Sequence, residues 1–461
     1  MIRFFAIAVL LFANGAGAMA GQETAFVGAT VIIRADAPPI ANATILIEDG
    51  RIAAVGHAGD IPLHPDTTVL DMTGKWIIPG LIDAHVHFFQ SGGLYTRPDV
   101  IDLRAVRPYA VELARIRARL PQTFARYLAS GVTGVVDVGG PFWNFEVRDL
   151  ARRAAVAPRV AVAGPLLATI APKQLASDDP AIVRIDSPDA ARAEVRRQAA
   201  RKPDLVKIWF IRTRDENLIA ELAWIRAAIV EAHALGLRVA VHATELETAR
   251  LAVEAGADVL VHSIESAPVD DAFLALLRAR DVIYITTLGV YEGYWEVLGQ
   301  HVRLTDIDAR VGDPDVIASF AELADLPDDV KPAWLKPRPP PPISRIVLDN
   351  LKRVQAAGVV VAAGTDAGNI GTLHGPALHR EFELMAEAGL TPAQILAAAT
   401  TGAARAMGRR DLGAIEPGMR ADLVILDADP LADMRNARRI YRVIKNGVIY
   451  DPETILSDLR R

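Results

Sequence analysis

Eight short runs rich in Val, Ile and Ala alternate with longer stretches rich in Ala, Leu and Arg through the middle of this 461-residue chain. The runs have the length of strands and the stretches have the length of helices. Strands that alternate with helices favour a parallel sheet, and eight such units favour a closed barrel over an open sheet. We therefore predict an α/β fold, with a (β/α)8 TIM barrel over residues 79–408. The runs are GLIDAHVHF, VTGVVDVG, RVAVAGPLL, LVKIWFI, RVAVHA, DVLVHS, VIYITT and VVVAAGTDAG.

The two ends of the chain carry a different pattern. Residues 22–78 and 409–461 contain short segments in which apolar and polar residues alternate, separated by Gly, Asp-Gly and Asn-Gly turns. This pattern is typical of antiparallel strands. Two half-sheets from opposite ends of the chain predict one small β-sandwich domain.

One linker is too long for a regular strand–helix unit. Between residues 290 and 343 the alternation stops, and the segment ends in KPRPPPP, which must be extended. A long excursion after a strand of such a barrel is typical of a lid or a subunit contact. An insertion on the surface without such a role is the alternative, and the sequence does not decide between these possibilities.

Residues 1–20 resemble an export signal. Arg3 precedes a ten-residue apolar core, and an A-x-A pattern ends at Ala20. This predicts a cleaved signal peptide and a periplasmic or secreted protein, with an uncleaved membrane anchor as the alternative. The apolar core is too short to cross a bilayer and no longer one follows, so we expect no stable membrane insertion. The sequence contains no Cys, which excludes disulfides and thiolate chemistry.

The charge pattern argues against one class of partner. The formal net charge is −6, and no basic stripe with interleaved aromatic residues occurs. We therefore expect a small-molecule substrate and no nucleic acid.

Side chains of metal-ligand type stand in or just after five of the eight apolar runs. His85 and His87 are two residues apart, so on a strand both rings point to the same face and can reach one ion. Alone, this pair is a weak signal, because two His can share a solvated turn. Four further side chains repeat the pattern downstream, and they are Lys207, His242, His262 and Asp366.

Lys207 lies within an apolar run, where its ammonium group would lose its hydration. Burial lowers the pKa of Lys and frees the neutral amine, which reacts with CO2 to give an anionic carbamate that can bridge two cations. A strand-end Lys that extends to water is the alternative. The other ligand-type residues at strand ends favour the ligand hypothesis.

The remaining three residues each have an ordinary alternative as well. A lone His on an apolar strand is more often a core residue, but His242 and His262 stand twenty residues apart on successive units. Neutral imidazoles are preferred ligands of Zn and similar ions. Asp366 follows the last run, where it would otherwise cap the next helix.

These motifs together resemble the amidohydrolase superfamily, in its imidazolonepropionase-like, metal-dependent dipeptidase (prolidase-like) branch. The resemblance covers essentially the whole chain after the signal, and one departure is Val261, where the branch commonly has an acidic residue. The motifs are PGLIDAHVH, VKI, VAVHA, GADVLVHS, AAGTDAG and GMRADLVILDADP.

The resemblance implies a site with two divalent metal ions, for which we expect Zn. One ion would be bound by His85, His87 and Asp366 and the other by His242 and His262, with carbamylated Lys207 between them. A water bound by two cations supplies hydroxide at neutral pH. Asp366 would accept its proton and pass it to the leaving amine.

The resulting hypothesis is an exported metal-dependent hydrolase that cleaves an amide bond in dipeptides or N-acyl amino acids. The same site acting on cyclic amides, lactones or other ester-like bonds stays open, and a binding scaffold without metal is disfavoured by the intact set of ligands. Candidate substrate contacts are Arg212, which could bind a carboxylate, Tyr291, and His374 on the loop after Asp366. We also expect a homo-oligomer.

Overall fold

Strands make up both ends and the centre of the chain. The structure is a computed structural model and describes residues 23–212, 218–327 and 330–461. Within these residues the strands are β1 (Thr24–Val31), β2 (Ile40–Glu48), β3 (Arg51–His57), β4 (Thr68–Asp71), β5 (Trp76–Pro79), β6 (Leu81–Val86), β7 (Val132–Asp137), β8 (Arg159–Val162), β9 (Leu166–Ala168), β10 (Ile182–Arg184), β11 (Leu205–Trp209), β12 (Arg238–His242), β13 (Val259–Val261), β14 (Ile283–Ile285), β15 (Val360–Ala362), β16 (Leu423–Leu426), β17 (Ile440–Lys445) and β18 (Val448–Tyr450).

Helices follow most of the central strands. Several begin at a side chain that accepts a backbone hydrogen bond, as Thr305 and Thr391 do in capping boxes. The α-helices of the described residues are α1 (Tyr109–Ala118), α2 (Leu120–Ala129), α3 (Asn144–Arg153), α4 (Pro188–Ala199), α5 (Leu218–Ala234), α6 (Leu246–Ala255), α7 (Asp271–Ala279), α8 (Gly289–Leu298), α9 (Asp306–Val311), α10 (Pro314–Asp325), α11 (Arg345–Ala356), α12 (Ala377–Glu387), α13 (Pro392–Ala397), α14 (Ala403–Ala406) and α15 (Pro452–Leu459).

The two ends of the chain share one sheet. Its strand order is β18-β17-β16-β5-β1-β2-β3, and β4 also pairs with β1. The antiparallel pairing of β5 with β16, from Trp76 opposite Leu426 to Pro79 opposite Leu423, connects the first part of the chain to the last. Its apolar residues pack into one core that includes Phe26, Ile45 and Ile444.

The central strands are parallel, as the sequence predicted for an α/β fold. One sheet has the order β6-β7-β8 and the other β10-β9-β11-β12-β13-β14-β15. The run RVAVAGPLL forms two strands instead of one, because Gly164 and Pro165 separate β8 from β9 and Pro cannot donate a ladder hydrogen bond. The carboxyl ends of the parallel strands lie at one edge, where α/β enzymes bind their ligands.

Hydrogen bonds also connect the two parallel sheets. The backbone N–H of Asp204 donates to the Val162 carbonyl oxygen at 2.9 Å, which brings β11 beside β8. On the other side, the N–H of Ala84 donates to the Ala363 carbonyl oxygen at 2.9 Å, which brings β6 beside β15. The first and last central strands are therefore neighbours.

The long linker after β14 is helical in its first part. It forms α8, α9 and α10, and then runs to α11 without a regular element over residues 331–344, which include the Pro run. Leu298, Phe320 and Leu323 pack with Leu94 of the loop after β6 and with Ile370 of the loop after β15. The linker is therefore built onto the edge of the sheet at which the central strands end.

No helix among the described residues has the length and apolarity that crossing a membrane requires.

We expect the contact between the terminal sheet and the parallel strands to depend on one ion pair. Arg159 of β8 donates to both carboxylate oxygens of Asp422, at 2.6 and 3.0 Å, and this carboxylate is only 4% exposed. Arg159→Ala leaves a buried charge without its partner, so the free energy of unfolding should fall by about 3 kcal/mol in urea titrations. Arg192→Ala, which breaks an exposed pair with Asp189, should cost under about 0.5 kcal/mol. Equal losses in the two variants would contradict this role.

Candidate metal centre

The six side chains predicted as ligands all lie at the carboxyl ends of central strands. His85 is in β6, Lys207 in β11, and His242 is the last residue of β12. The other three stand one to four residues past the end of a strand, and they are His87, His262 and Asp366. Parallel strands from distant parts of the sequence thus bring these residues together.

His85, His87 and Asp366 form the tightest group. One donor atom from each lies within 4.8 Å of the others, and all three residues are buried. The Asp366 Oδ1 atom is 3.3 Å from His85 Nε2 and 3.2 Å from His87 Nε2. Two imidazole nitrogens therefore face one carboxylate oxygen.

The rings of His242 and His262 continue this group. Their centroids are 4.3 Å apart, and the His262 ring is 4.8 Å from that of His85. Lys207 is 1% exposed, and its strand β11 pairs with β12, which ends at His242. The Lys207 amine also lowers the pKa of His85, His242 and His262 electrostatically.

Burial sets the protonation of these groups. It lowers the pKa of Lys207 to about 7, and together with the nearby Lys207 amine it lowers the pKa of His85 to about 3. Burial also holds the pKa of His242 and of His262 well below the ordinary value. Burial alone would raise the pKa of Asp366, but the facing His85 and His87 rings hold it well below its ordinary range. Neutral imidazoles and an ionised carboxylate are metal ligands in their binding form.

Three buried polar atoms of this cluster lack hydrogen-bonding partners. They are Nδ1 and Nε2 of His85 and Oδ1 of Asp366. Buried polar atoms are almost always paired, so each exception requires an explanation. A cation between His85 Nε2 and Asp366 Oδ1 would satisfy two lone pairs that otherwise face each other. The residues present therefore fit a metal ion.

Neighbouring groups fix which ring nitrogen faces the cluster. The Nδ1 atom of His87 donates to the Gly139 carbonyl oxygen at 2.7 Å, and the Nδ1 atom of His262 lies 2.6 Å from the Thr287 hydroxyl. With Nδ1 engaged, Nε2 of each ring remains as the ligand atom. Such second contacts orient metal-binding His residues in proteins.

Three residues of the site adopt backbone conformations that side chains other than Gly rarely take. His262, Asp366 and Thr287 have φ angles of 77°, 60° and 57°. Strain of this kind persists only where the surroundings enforce it, and it is concentrated at functional sites. Here it turns the His262 and Asp366 side chains toward the cluster in the loops that follow their strands.

Two buried carboxylates enforce these conformations. Asp83 accepts hydrogen bonds from the backbone N–H groups of His85 and Thr365 and from the Thr365 hydroxyl. Glu381 of α12 accepts from the Thr286 hydroxyl and from the backbone N–H groups of Leu288 and Gly289, and these three residues stand on either side of Thr287. Burial raises the pKa of each of these two carboxyl groups to about 7.

A cleft of about 740 Å³ opens onto the cluster. Its lining includes every predicted ligand except His85, together with side chains of α8 and of the segment before α11. Tyr291 also lines it, and its hydroxyl donates to Glu265 at 3.2 Å.

The other two candidate substrate contacts lie elsewhere. Arg212 forms an ion pair with Glu247 and is absent from the lining of the cleft. His374 lines a smaller neighbouring cleft, where Tyr127 and the Gln90 carbonyl oxygen engage its two ring nitrogens at 2.8 Å.

Arg97 also lines the cleft, and the sequence analysis did not predict it as a site residue. It pairs with both oxygens of Asp99, at 2.8 and 2.6 Å, and donates to Tyr294 and Asn369. Asn369 in turn donates to the Asp366 carbonyl oxygen at 2.9 Å. The sequence is rich in Arg, and no local pattern distinguishes Arg97 from the others. Only the fold of the loop after β6 brings it to the cleft.

The chain matches the Amidohydrolase family over residues 76–450 and therefore belongs to that family of hydrolases, which confirms the relationship predicted from its motifs. Ochratoxinase from Aspergillus niger is 24% identical, over 92% of this chain and 85% of the relative. Imidazolonepropionase from Streptomyces griseus is 26% identical, over 84% and 86%. The crystal structure of a Xaa-Pro dipeptidase with bound methionine in the active site has a TM-score of 0.69 at 23% identity, and the match covers 93% of this chain and 100% of that one.

We expect Thr287→Val to weaken binding of a divalent ion by about 10- to 100-fold. The substitution keeps the shape of the side chain but removes the hydroxyl that lies 2.6 Å from His262 Nδ1. Titration of metal-free protein with Zn in a calorimeter measures the change. Thr248→Val, which removes a buried hydroxyl of α6, is the matched control. Unchanged affinity in Thr287→Val would show that this hydroxyl does not support a metal ligand.

Proposed function

We propose that this amidohydrolase cleaves an amide bond in small substrates, either dipeptides or N-acyl amino acids, at a site that binds two divalent metal ions. One observation carries the proposal: nitrogen donors of His85 and His87 and a carboxylate oxygen of Asp366 converge within 4.8 Å and are buried. Orphaned lone pairs in this group favour a cation over a set of structural hydrogen bonds.

His85, His87 and Asp366 would hold one ion and His242 and His262 the other, with Lys207 between them. Imidazole and carboxylate ligands suit Zn. Ions bound here supply Lewis acidity, which lowers the pKa of a water nucleophile and polarises the scissile carbonyl group.

Lys207 would act as a carbamate. Because its pKa is lowered to about 7, a large fraction of the amine is neutral at neutral pH, and this fraction falls as the pH drops below 7. The neutral nitrogen attacks the carbon of CO2 and loses one proton, which leaves an N-carboxylate with one negative charge. This anion would supply the oxygen ligands that the four His rings lack.

Asp366 would move the proton. Its Oδ1 atom faces the two His rings, so Oδ2 is the oxygen available to take a proton from the attacking water. The same oxygen then returns the proton to the nitrogen of the leaving amine. Hydrolysis thereby yields a carboxylic acid and an amine without a covalent enzyme intermediate.

The proposed site also depends on how the central strands and the two chain ends are arranged. We infer that the eight parallel strands β6, β7, β8, β11, β12, β13, β14 and β15 close into a (β/α)8 barrel over residues 79–408. Hydrogen bonds from β8 to β11 and from β6 to β15 support closure. Residues 22–78 and 409–461 would form the separate β-sandwich domain, with 290–343 as the insertion.

Export and assembly complete the proposal. The predicted signal peptide, residues 1–20, lies outside the described residues, so periplasmic or secreted location is proposed from the sequence pattern alone.

N-terminal sequencing of the exported protein should begin at Gly21, and an intact Met1 would contradict cleavage. Homo-oligomerisation stays a prediction.

We expect Asp366→Asn and Lys207→Ala to differ in how much bound metal and turnover they lose. The Asn keeps an oxygen ligand but cannot carry the proton, so bound metal should persist in part while turnover of an N-acyl amino acid falls by about two to four orders of magnitude. Lys207→Ala removes the bridge and should lose metal and turnover together. Elemental analysis and amide hydrolysis, measured on the same preparations, separate the two outcomes.

Near-normal turnover by metal-loaded Asp366→Asn would assign the proton transfer to another group. A Lys207→Ala variant that retains both metal and activity would exclude the bridge. If wild-type protein with full metal cleaves no amide in a broad panel of dipeptides and N-acyl amino acids, the proposed substrate class is wrong.

A further inference from the structure

We propose that the cleft contains a subsite for an aromatic ring, and that the preferred substrate carries a large aromatic group without negative charge on one side of the scissile amide. This proposal rests on amide hydrolysis at the metal centre and narrows the substrates expected there. It follows from the size of the cleft, from the rings that line it and from the pairing of its charged side chains.

The cleft has more room than a short acyl group or a small side chain would fill. Its volume is about 740 Å³, which lies in the range of pockets that enclose drug-sized molecules. An acetyl group or an Ala side chain would leave most of this space to water. A substrate that fills the cleft must carry a bulky substituent next to the amide.

Aromatic residues line the cleft from the metal centre outward. Trp209 stands two residues after Lys207, and its ring packs edge-on against His242 with centroids 6.1 Å apart. Trp295 lies in the wall formed by α8, and the Arg338 guanidinium lies 4.2 Å from its ring centre. Rings prefer offset-stacked or edge-to-face partners, so such walls favour a planar aromatic guest over a flexible chain.

The linker after β14 supplies the outer wall. Trp334, Pro341 and Pro342 line the cleft, and Trp334 is 53% exposed. The linker therefore contributes apolar surface to the cleft that opens onto the metal centre. The linker would thus determine specificity.

The Arg of the outer cleft already has a partner, because Arg97 pairs with both oxygens of Asp99. The acidic residue Glu292 pairs with two nitrogens of Arg380, and Glu265 accepts a hydrogen bond from the uncharged Tyr291 hydroxyl. A negatively charged substituent would lose its hydration here and would find Arg97 already paired, so the subsite selects a group without negative charge.

Three N-acyl derivatives of Ala test the proposal on the intact, metal-loaded enzyme. They carry the same scissile amide and differ only in an acetyl, octanoyl or 2-naphthoyl group. We expect kcat/KM for the naphthoyl compound to exceed that for the acetyl compound by at least about 100-fold, and to exceed that for the octanoyl compound. Trp334→Ala should reduce the naphthoyl-to-acetyl ratio about tenfold, mainly through KM, and Trp334→Phe should restore most of it.

Trp143→Ala is the matched control, because Trp143 is a partly exposed tryptophan of the α3 N-terminus outside the cleft. It should keep the wild-type ratio. Equal values for acetyl and naphthoyl compounds, or an octanoyl compound as good as the naphthoyl one, would overturn the aromatic subsite while amide hydrolysis stands.

A binding measurement separates this proposal from the proposed hydrolysis. Calorimetry with N-methyl-2-naphthamide should show binding to wild-type protein, and weaker binding to Trp334→Ala, even if no amide is cleaved. The absence of binding to wild-type protein would overturn the subsite. Binding without cleavage of any amide would instead contradict the proposed function.

Discussion

The pairing of β6 with the segment after β15 is the interaction on which the rest of the site depends. The backbone N–H of Asp366 donates to the His85 carbonyl oxygen at 2.8 Å, and the N–H of His87 donates to that of Ala367 at 2.9 Å. Asp83 secures this contact through Thr365. The first and last parallel strands are thereby joined, and the rings of His85 in β6 and His87 just after it meet the carboxylate that follows β15. Without this register the carboxylate would not face the two rings.

The site combines buried polar groups with backbone strain, and both lower the stability of the folded protein. Burial lowers the pKa of Lys207 and of the His242 and His262 rings, and the left-handed conformations of His262 and Asp366 direct their side chains inward. Buried carboxylates, among them Glu381, hold the surrounding loops by several hydrogen bonds each. A bound cation would offset this loss of stability by binding the lone pairs of the unpaired nitrogen and oxygen atoms.

The sequence predicts the parallel strands and the convergence of all six ligand-type residues, because both follow from local apolar runs and from the polar residues at their ends. It does not predict the cleft. Arg97, Trp334 and the position of His374 depend on how loops far apart in sequence fold over one another, and no local pattern encodes that. Arg212 shows the same limit: next to the strand of Lys207 in sequence, it pairs with Glu247 in the structure instead of entering the cleft.

The number of metal ions in active protein decides whether Lys207 bridges a two-metal site. Protein purified without chelators is analysed for metals by mass spectrometry, and its intact mass is measured under native conditions. We expect about two divalent ions per chain and an adduct of about 44 Da, the mass of CO2, that disappears in Lys207→Ala. Fully active protein with one ion or none, or without the adduct, would contradict a two-metal site bridged by Lys207.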